Sequence, residues 1–527
     1  MQELETKKKD IVSFFLKKGL LLSSDLLKQL NNDKFFEEVR GLIDNTEHEE
    51  ITVLNEKIKE LLGQPQSANL NWPELEKYDV ISEKKGKSGY ENIARPLLQG
   101  KTEPEEQGSK VNVIFSYKSE PKKREAQDFI DYFTVRFKSI ENILKQRQEL
   151  QSTISISRLL NKKDREQIAV IGMVRDKQQT KNGNYMIVIE DDTACIRVII
   201  NKTKPSLFNI AKDIVLDEVI GVVGVNGENI IFANNLFCPD IPISKEIKKA
   251  EDESYAIFLS DLHVGSKYFL GEDFNRFLRW INQDLGNETQ REIASKVKYI
   301  FIIGDLVDGC GVYPGQEKEL TIKDIKDQYN ECANLLSEIP KHIKLIICPG
   351  NHDAMRVAEP QFQIYKDFAE SLYNLPNTIM TSNPALVNMH SSKNFPGFDV
   401  LLYHGYSFDY YVTEVESIRT NGGYDRADLI MKFLLQKRHL APAHTSTLYM
   451  PDSKFDPLFI NKVPDFFVSG HIHKAAASNY RNITLISGSC WQGKTAYQEK
   501  VGHHPEPSRV PIVNLQTRQV KMLKFGK

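Results

Sequence analysis

Five short stretches in the second half of the chain constrain its fold more than any other feature. They are Ser260-Asp261-Leu262-His263, Gly304-Asp305, Gly350-Asn351-His352-Asp353, Tyr403-His404-Gly405 and Gly470-His471-Ile472-His473. Each sits at the end of a short apolar run: Tyr255 to Leu259, Tyr299 to Ile303, Ile343 to Cys348, Asp399 to Tyr403 and Phe466 to Val468. Runs of this length, punctuated by Gly and Pro, read as buried strands rather than helices. In open α/β sheets ligands gather at the carboxyl ends of strands. Five strand ends that deliver Asp, Asn and His to one edge predict a metal site. Helical stripes alternate with them, one through Phe274, Phe277, Leu278, Ile281 and Leu285, another through Ile322, Ile325, Tyr329, Cys332 and Leu336. Further strands are predicted at 484–487, 511–515 and 520–525. Residues 254–527 therefore read as one large α/β domain holding every chemical motif.

The 527 residues ahead of and including that domain suit two to four domains. Residues 1–63 read as a small helical domain, with Ile11, Phe14, Phe15, Leu20, Leu26, Leu27 and Leu30 at helical spacing and Ser23-Ser24-Asp25 as an N-cap. Residues 64–124 are polar and aperiodic, the pattern of a flexible linker. Residues 125–245 begin with a helical stripe through Phe129, Phe133, Phe137 and Ile140. Strand-like pieces follow at 167–174, 185–190, 195–200, 218–225 and 228–232, separated by turns such as Asn182-Gly183 and Asn226-Gly227. Five strands in so short a span predict an OB-type β-barrel. Such barrels often bind single strands, yet this one offers few aromatics for stacking, so a subunit-contact role is equally open.

Bulk charge excludes little: 69 basic residues nearly cancel 71 acidic ones, so any nucleic-acid surface must be local. The six cysteines are scattered without a C-x-x-C, the usage of reduced intracellular thiols. No signal peptide or membrane-length apolar run is evident, which predicts a cytoplasmic protein with no membrane partner.

Asp and Asn oxygens together with His nitrogens suit Mn²⁺, Fe²⁺ or Zn²⁺ better than Ca²⁺. There is one donor more than a single ion would use, and Asp305 can bridge with its two oxygens. Two ions so held can clamp a phosphate and generate a hydroxide near neutral pH. His352 adjoins the ligand Asn351 and faces the same site, placed to protonate a leaving oxygen, and Asp353 is predicted to orient its ring. An isolated Asp-x-His means little in a chain with twelve histidines; the ordered set is the signal. His48, His342, His390, His439, His444, His503 and His504 lack that context and read as surface or loop residues.

The ordered motifs resemble the calcineurin-like metallophosphoesterase superfamily. By that resemblance Asp261, His263, Asp305 and His473 would hold one ion and Asp305, Asn351, His404 and His471 the other, with His352 catalytic. The intervening stretches, Gly304 to Gly309 running into Tyr313-Pro314-Gly315-Gln316-Glu317, Lys437 to Pro442, Pro464-Asp465-Phe466 and Ser487 to Gln492, resemble the small-subunit family of archaeal D-family replicative DNA polymerases. That family also carries an OB domain before the phosphoesterase. The resemblance implies a 3′→5′ exonuclease that proofreads for a large catalytic subunit, acting on single-stranded 3′ ends of DNA. It further implies two divalent ions, Mn²⁺ first and Mg²⁺, Fe²⁺ or Zn²⁺ as alternatives, with a sliding clamp as a further candidate partner. Two rival readings are a non-catalytic polymerase scaffold and a phosphomonoesterase.

Overall fold

The computed structural model describes residues 110–526 apart from 121, 163, 496–497 and 500–503, and, nearer the N-terminus, residues 11–15, 20–22, 36–37, 39 and 52–54. The chain divides into two units, 1–107 and 108–527. In the first, residues 11–15 are helical, and the rings of Phe14, Phe15 and Phe36 meet edge-on at 5.2–6.2 Å. An all-helical unit is nevertheless not what is found. Strand β1 (Leu20–Leu22) pairs in parallel with β2 (Thr52–Leu54). A continuous apolar run of three carries no period, so helix and strand are indistinguishable there from sequence. Leu26, Leu27, Leu30 and the polar stretches 84–89 and 100–106 lie outside the described residues.

The second unit begins with a correction to the predicted linker. Residues 111–116 form β3 (Val111–Ser116), a mostly apolar strand that completes the edge of a sheet. The helix Ala126–Leu144 follows, opened by a capping box between Glu125 and Asp128. Next comes a closed barrel of β4 (Gln167–Gln179), β5 (Tyr185–Glu190), β6 (Cys195–Ile200), β7 (Val219–Gly227) and β8 (Ile230–Phe237). The barrel order is β4-β5-β6-β8-β7 with β6 and β8 parallel, the OB arrangement. Alternation along β4 explains its two partners. Ile168 and Val170 point into the barrel core, and Ala169 and Ile171 pack outward against Phe137, Ile140 and Leu144 of the helix.

The remaining strands form two six-stranded sheets packed face to face. One sheet contains β9 (Tyr255–Leu259), β10 (Val297–Ile303), β11 (Lys344–Cys348), β12 (Thr378–Met380), β18 (Arg509–Asn514) and β19 (Val520–Lys524), in the order β12-β11-β10-β9-β18-β19. The other contains β13 (Ala385–Met389), β14 (Phe398–Leu402), β15 (Phe466–Ser469), β16 (Ala476–Tyr480) and β17 (Ile483–Ser487), in the order β16-β17-β15-β14-β13-β3. Strands β9 to β12 are parallel, as are β14, β15 and β17. Apart from the short outer strand β12, they are buried on both faces, which is why they read as apolar runs. On β10, Tyr299, Phe301 and Ile303 enter the layer between the sheets, whereas Ile300 and Ile302 face the helices outside. Among the described residues, no helix is long and apolar enough to cross a membrane.

His439, read from sequence as a surface or loop residue, is instead fully buried. Its Nε2 lies 2.8 Å from Asp456 Oδ2, and its Nδ1 accepts from Ala441 N at 3.0 Å. A ring whose Nδ1 accepts is neutral. The same carboxylate takes Arg136 Nε at 2.7 Å and the Tyr132 hydroxyl at 2.8 Å, so the barrel's leading helix is tied to the α/β sheets through one carboxylate. Nothing near His439 in sequence announces Asp456 or Arg136, which explains the misreading. Burial, then the Arg136 charge, pushes the His439 imidazole down to about 4. Below pH ~6.5 the unfolded chain takes up a proton that the folded one refuses, so stability is lost as pH falls toward 4, by about 3 kcal/mol in all. Thermal melts at about pH 7 and pH 5 check this. His439→Gln is expected to flatten the slope, and an unchanged slope would remove His439 from the account.

Candidate metal centre

The five motifs occupy the carboxyl ends of β9, β10, β11, β14 and β15, all parallel strands at one edge of the sandwich. The turns there are stitched together by main-chain bonds that continue the ladders. Asp261 N donates to Gly304 O at 3.0 Å, His263 N to Asp305 O at 3.0 Å, and Gly470 N to His404 O at 2.8 Å. Alternation puts Asp261 and His263 on the cavity side and the buried Leu262 on the core side.

Five of the seven predicted ligands, Asp261, His263, Asp305, His471 and His473, have φ between 51 and 71°. Left-handed conformations cost a non-glycine residue about 1–3 kcal/mol each and persist where the surroundings enforce them. Two glycines make room beneath. A Cβ on Gly304 would fall on His404 Nδ1, and one on Gly350 would fall on an Asp305 carboxylate oxygen. Gly350→Ala is therefore expected to lower metal occupancy by displacing Asp305, and to lower the melting temperature too, because the added Cβ also meets the Asp305 main-chain nitrogen. Metal stoichiometry beside a thermal melt tests it, and full occupancy would show that the turn yields instead.

All seven predicted ligand side chains converge. The donor atoms of Asp261, His263 and His473 lie within 4.8 Å of one another, as do those of Asp305, His404 and His471. Asp305 sits between the groups, with Oδ2 3.3 Å from His404 Nε2 and 3.9 Å from His263 Nε2. Asn351 Oδ1 is 3.0 Å from His404 Nε2 and 3.0 Å from His471 Nδ1. The outward nitrogens are taken: His404 Nδ1 donates to Ile303 O at 2.9 Å, and His263 Nδ1 lies 3.2 Å from Asp308 Oδ1. That leaves the inward Nε2 of each as a donor to a metal. His263 Nε2 and His473 Nε2 face each other at 3.1 Å, on the side where an ion of the first group would sit.

The electrostatics ask for positive charge. Although burial opposes it, His404 and His352 hold the Asp305 carboxyl well below the usual range, and His473 and His404 lower that of Asp261. Conversely, against burial, Asp305 pushes His404 up to about 10. A protonated His404 is here balancing carboxylates that divalent cations would balance better. The donor set thus fits divalent ions.

His352 reaches the same cavity, and its ring lies edge-on to His263 at 4.7 Å. Its orienting partner is not Asp353. His352 Nδ1 donates to the main-chain carbonyl of Asp308 at 2.8 Å. The Asp353 carboxylate turns inward, accepting from Gly350 N at 2.8 Å and the Tyr329 hydroxyl at 3.0 Å, and so braces the turn beneath Asp305. The carboxylate instead closes the turn onto the Gly350 amide three residues back, which holds it on the core side, away from the ring. Three contributors were not foreseen as site residues. Asp308 orients His263, Asp409 Oδ2 lies 3.0 Å from His471 Nε2, and Gln498 Nε2 lies 2.9 Å from His473 Nδ1. Asp308 stands in the string Gly304 to Gly309 and could have been noticed; Asp409 and Gln498 carry no local signal.

A family model of calcineurin-like phosphoesterases matches residues 256–475. Among curated proteins, the chain is 40% identical over 402 residues to the DNA polymerase II small subunit of Methanothermobacter thermautotrophicus, covering 76% of this chain and 80% of that one. It is 36% identical over 400 residues to the DNA polymerase II small subunit of Archaeoglobus fulgidus, covering 76% and 78%. To that of Pyrococcus furiosus it is 38% identical over 401 residues, covering 76% of this chain and 64% of the relative.

Proposed function

Because this chain belongs to the family of DNA polymerase II small subunits and contains a calcineurin-like phosphoesterase domain, we propose that it is the proofreading subunit of a heterodimeric polymerase, hydrolysing single-stranded or mismatched 3′ ends of DNA. The observation that carries this reading is the intact donor set. Asp261, His263, Asp305, Asn351, His404, His471 and His473 converge on one edge, and the cavity there, of about 460 Å³, also admits His352. Asp261, His263, Asp305 and His473 would hold one divalent ion and Asp305, Asn351, His404 and His471 the other, Mn²⁺ being the ion proposed. When bound, such a pair neutralises the phosphate and acidifies water.

The rest is work for the chain's own groups. With Nδ1 tied to the Asp308 carbonyl, His352 turns Nε2 to the cavity. Burial lowers its pKa, so the resting ring is neutral, and an arriving phosphodiester anion favours the protonated form. Water then adds its oxygen to phosphorus and releases a proton to solvent. The P–O3′ bond breaks, O3′ takes its proton from His352, and the mononucleotide departs with its 5′-phosphate. A scaffold has no use for buried carboxylates and imidazoles in strained backbone, which weighs against the rival reading.

The assay is the heterodimer with the large subunit, given end-labelled single-stranded DNA or p-nitrophenyl phosphate, with Mn²⁺ or with chelator. Mn²⁺-dependent shortening from the 3′ end is expected. Hydrolysis of the monoester alone would make the chain a phosphatase, and no hydrolysis of either would make it a scaffold.

A further inference from the structure

A second groove opens off the metal cavity and shares Val312, Asn351 and His352 with it. Its volume is about 500 Å³. Val312, Val357, Tyr365 and Phe368 line it, and each is 37–42% exposed. Large apolar side chains left half-open around one groove mark a binding surface. The lining carboxylate, Asp353, turns its oxygens inward to Gly350 N and Tyr329. Exposed Lys326 and Lys366 directly follow the lining residues Ile325 and Tyr365, with exposed Asp324, Asp327 and Asp367 beside them in sequence. Half-exposed rings in a groove continuous with the metal cavity suit the stacked bases of a strand that enters it.

We propose that this groove holds the retained strand of the DNA substrate, with bases stacked on Tyr365 and Phe368 upstream of the scissile phosphate. The inference rests on the exonuclease reading above and gives it a direction. In 3′→5′ hydrolysis the leaving oxygen is the O3′ of the strand that remains. His352, Asn351 and Val312 line both cavity and groove, so a strand whose scissile phosphate lies in the cavity runs on into the groove, and that strand is the retained one. The departing nucleotide then occupies the far side of the cavity, toward Tyr406, Asp409 and His471.

The test is Tyr365→Ser combined with Phe368→Ser in the full chain assembled with its large subunit. Serine at 365 suits the N-cap position that Tyr365 occupies ahead of the helix Lys366–Tyr373, so the fold has no local reason to fail. Losing a base–aromatic stack is expected to lower kcat/KM on single-stranded DNA by about tenfold per ring. The loss on bis-p-nitrophenyl phosphate should be smaller by about that same factor. The wild type should also be slowed by abasic sites at the two nucleotides upstream of the cut, and the double variant should show no such further loss. In chelator, 2-aminopurine at the penultimate position should be quenched on binding to the wild type and not to the variant. Tyr365→Phe, which keeps the ring, should restore the rate lost in Tyr365→Ser. Equal losses on both substrates, or a persisting abasic penalty in the variant, would overturn the assignment. A variant that no longer assembles with the large subunit would overturn it too, placing a polypeptide in the groove. A wild type that fails to shorten DNA defeats the exonuclease reading itself, whereas normal cleavage by the variant defeats only the groove.

Discussion

Asp305→Asn is expected to empty both ion sites and reduce Mn²⁺-dependent cleavage of single-stranded DNA by at least about 10³-fold, while synthesis by the large subunit continues. Asp305 is the carboxylate that reaches toward both donor groups, with Oδ2 3.3 Å from His404 Nε2 and 3.9 Å from His263 Nε2. Two cations a few ångströms apart repel strongly in a partly desolvated site, and a shared negative charge offsets that repulsion. Asparagine keeps the shape and can still accept the 2.8 Å bond from His352 N, so the turn should survive. Only the charge is lost. His263→Ala removes a donor from one group alone, and its activity should be partly recovered by added Mn²⁺. Metal stoichiometry and exonuclease rate are measured together in the heterodimer. An Asp305→Asn protein that keeps two ions and near-normal cleavage would mean that no shared carboxylate is needed.

His352→Ala is expected to do the opposite with respect to metal: both ions stay, and cleavage of DNA falls by about 10²–10⁴-fold. The ring is surplus to the two sets of donors, yet it faces the cavity with Nδ1 committed to the Asp308 carbonyl. If its contribution is a proton for the leaving oxygen, the loss must depend on that oxygen. An O3′ alkoxide needs protonation, whereas a p-nitrophenolate does not. The variant should therefore lose far more on DNA than on bis-p-nitrophenyl phosphate. Loss of an ion would make His352 a ligand, and equal losses on the two substrates would make it a phosphate binder without proton transfer.

The amino-acid sequence by itself determined the strand ends, the residues at them and the barrel, because these are written locally. An apolar run of five followed by Asp-Leu-His or Gly-Asn-His carries its own period and its own turn chemistry. The five barrel strands likewise announce themselves through short runs and Gly-containing turns. Other features depended on partners far away in the chain, and no window of sequence contains them. His439 is a buried neutral ring because Asp456 and Arg136 meet it, the last two being 320 residues apart. Val111–Ser116 became an edge strand because β13, about 270 residues later, offers it an open ladder. Whether Asp353 would serve His352 or brace the turn was decided by which side of that turn faced the cavity, a matter of how two sheets pack. The groove of Val312, Val357, Tyr365 and Phe368 exists only once a turn and a helix, each unremarkable in sequence, are folded against the same side of His352. Local pattern fixes what each strand end carries, and tertiary packing alone decides which side chains it meets.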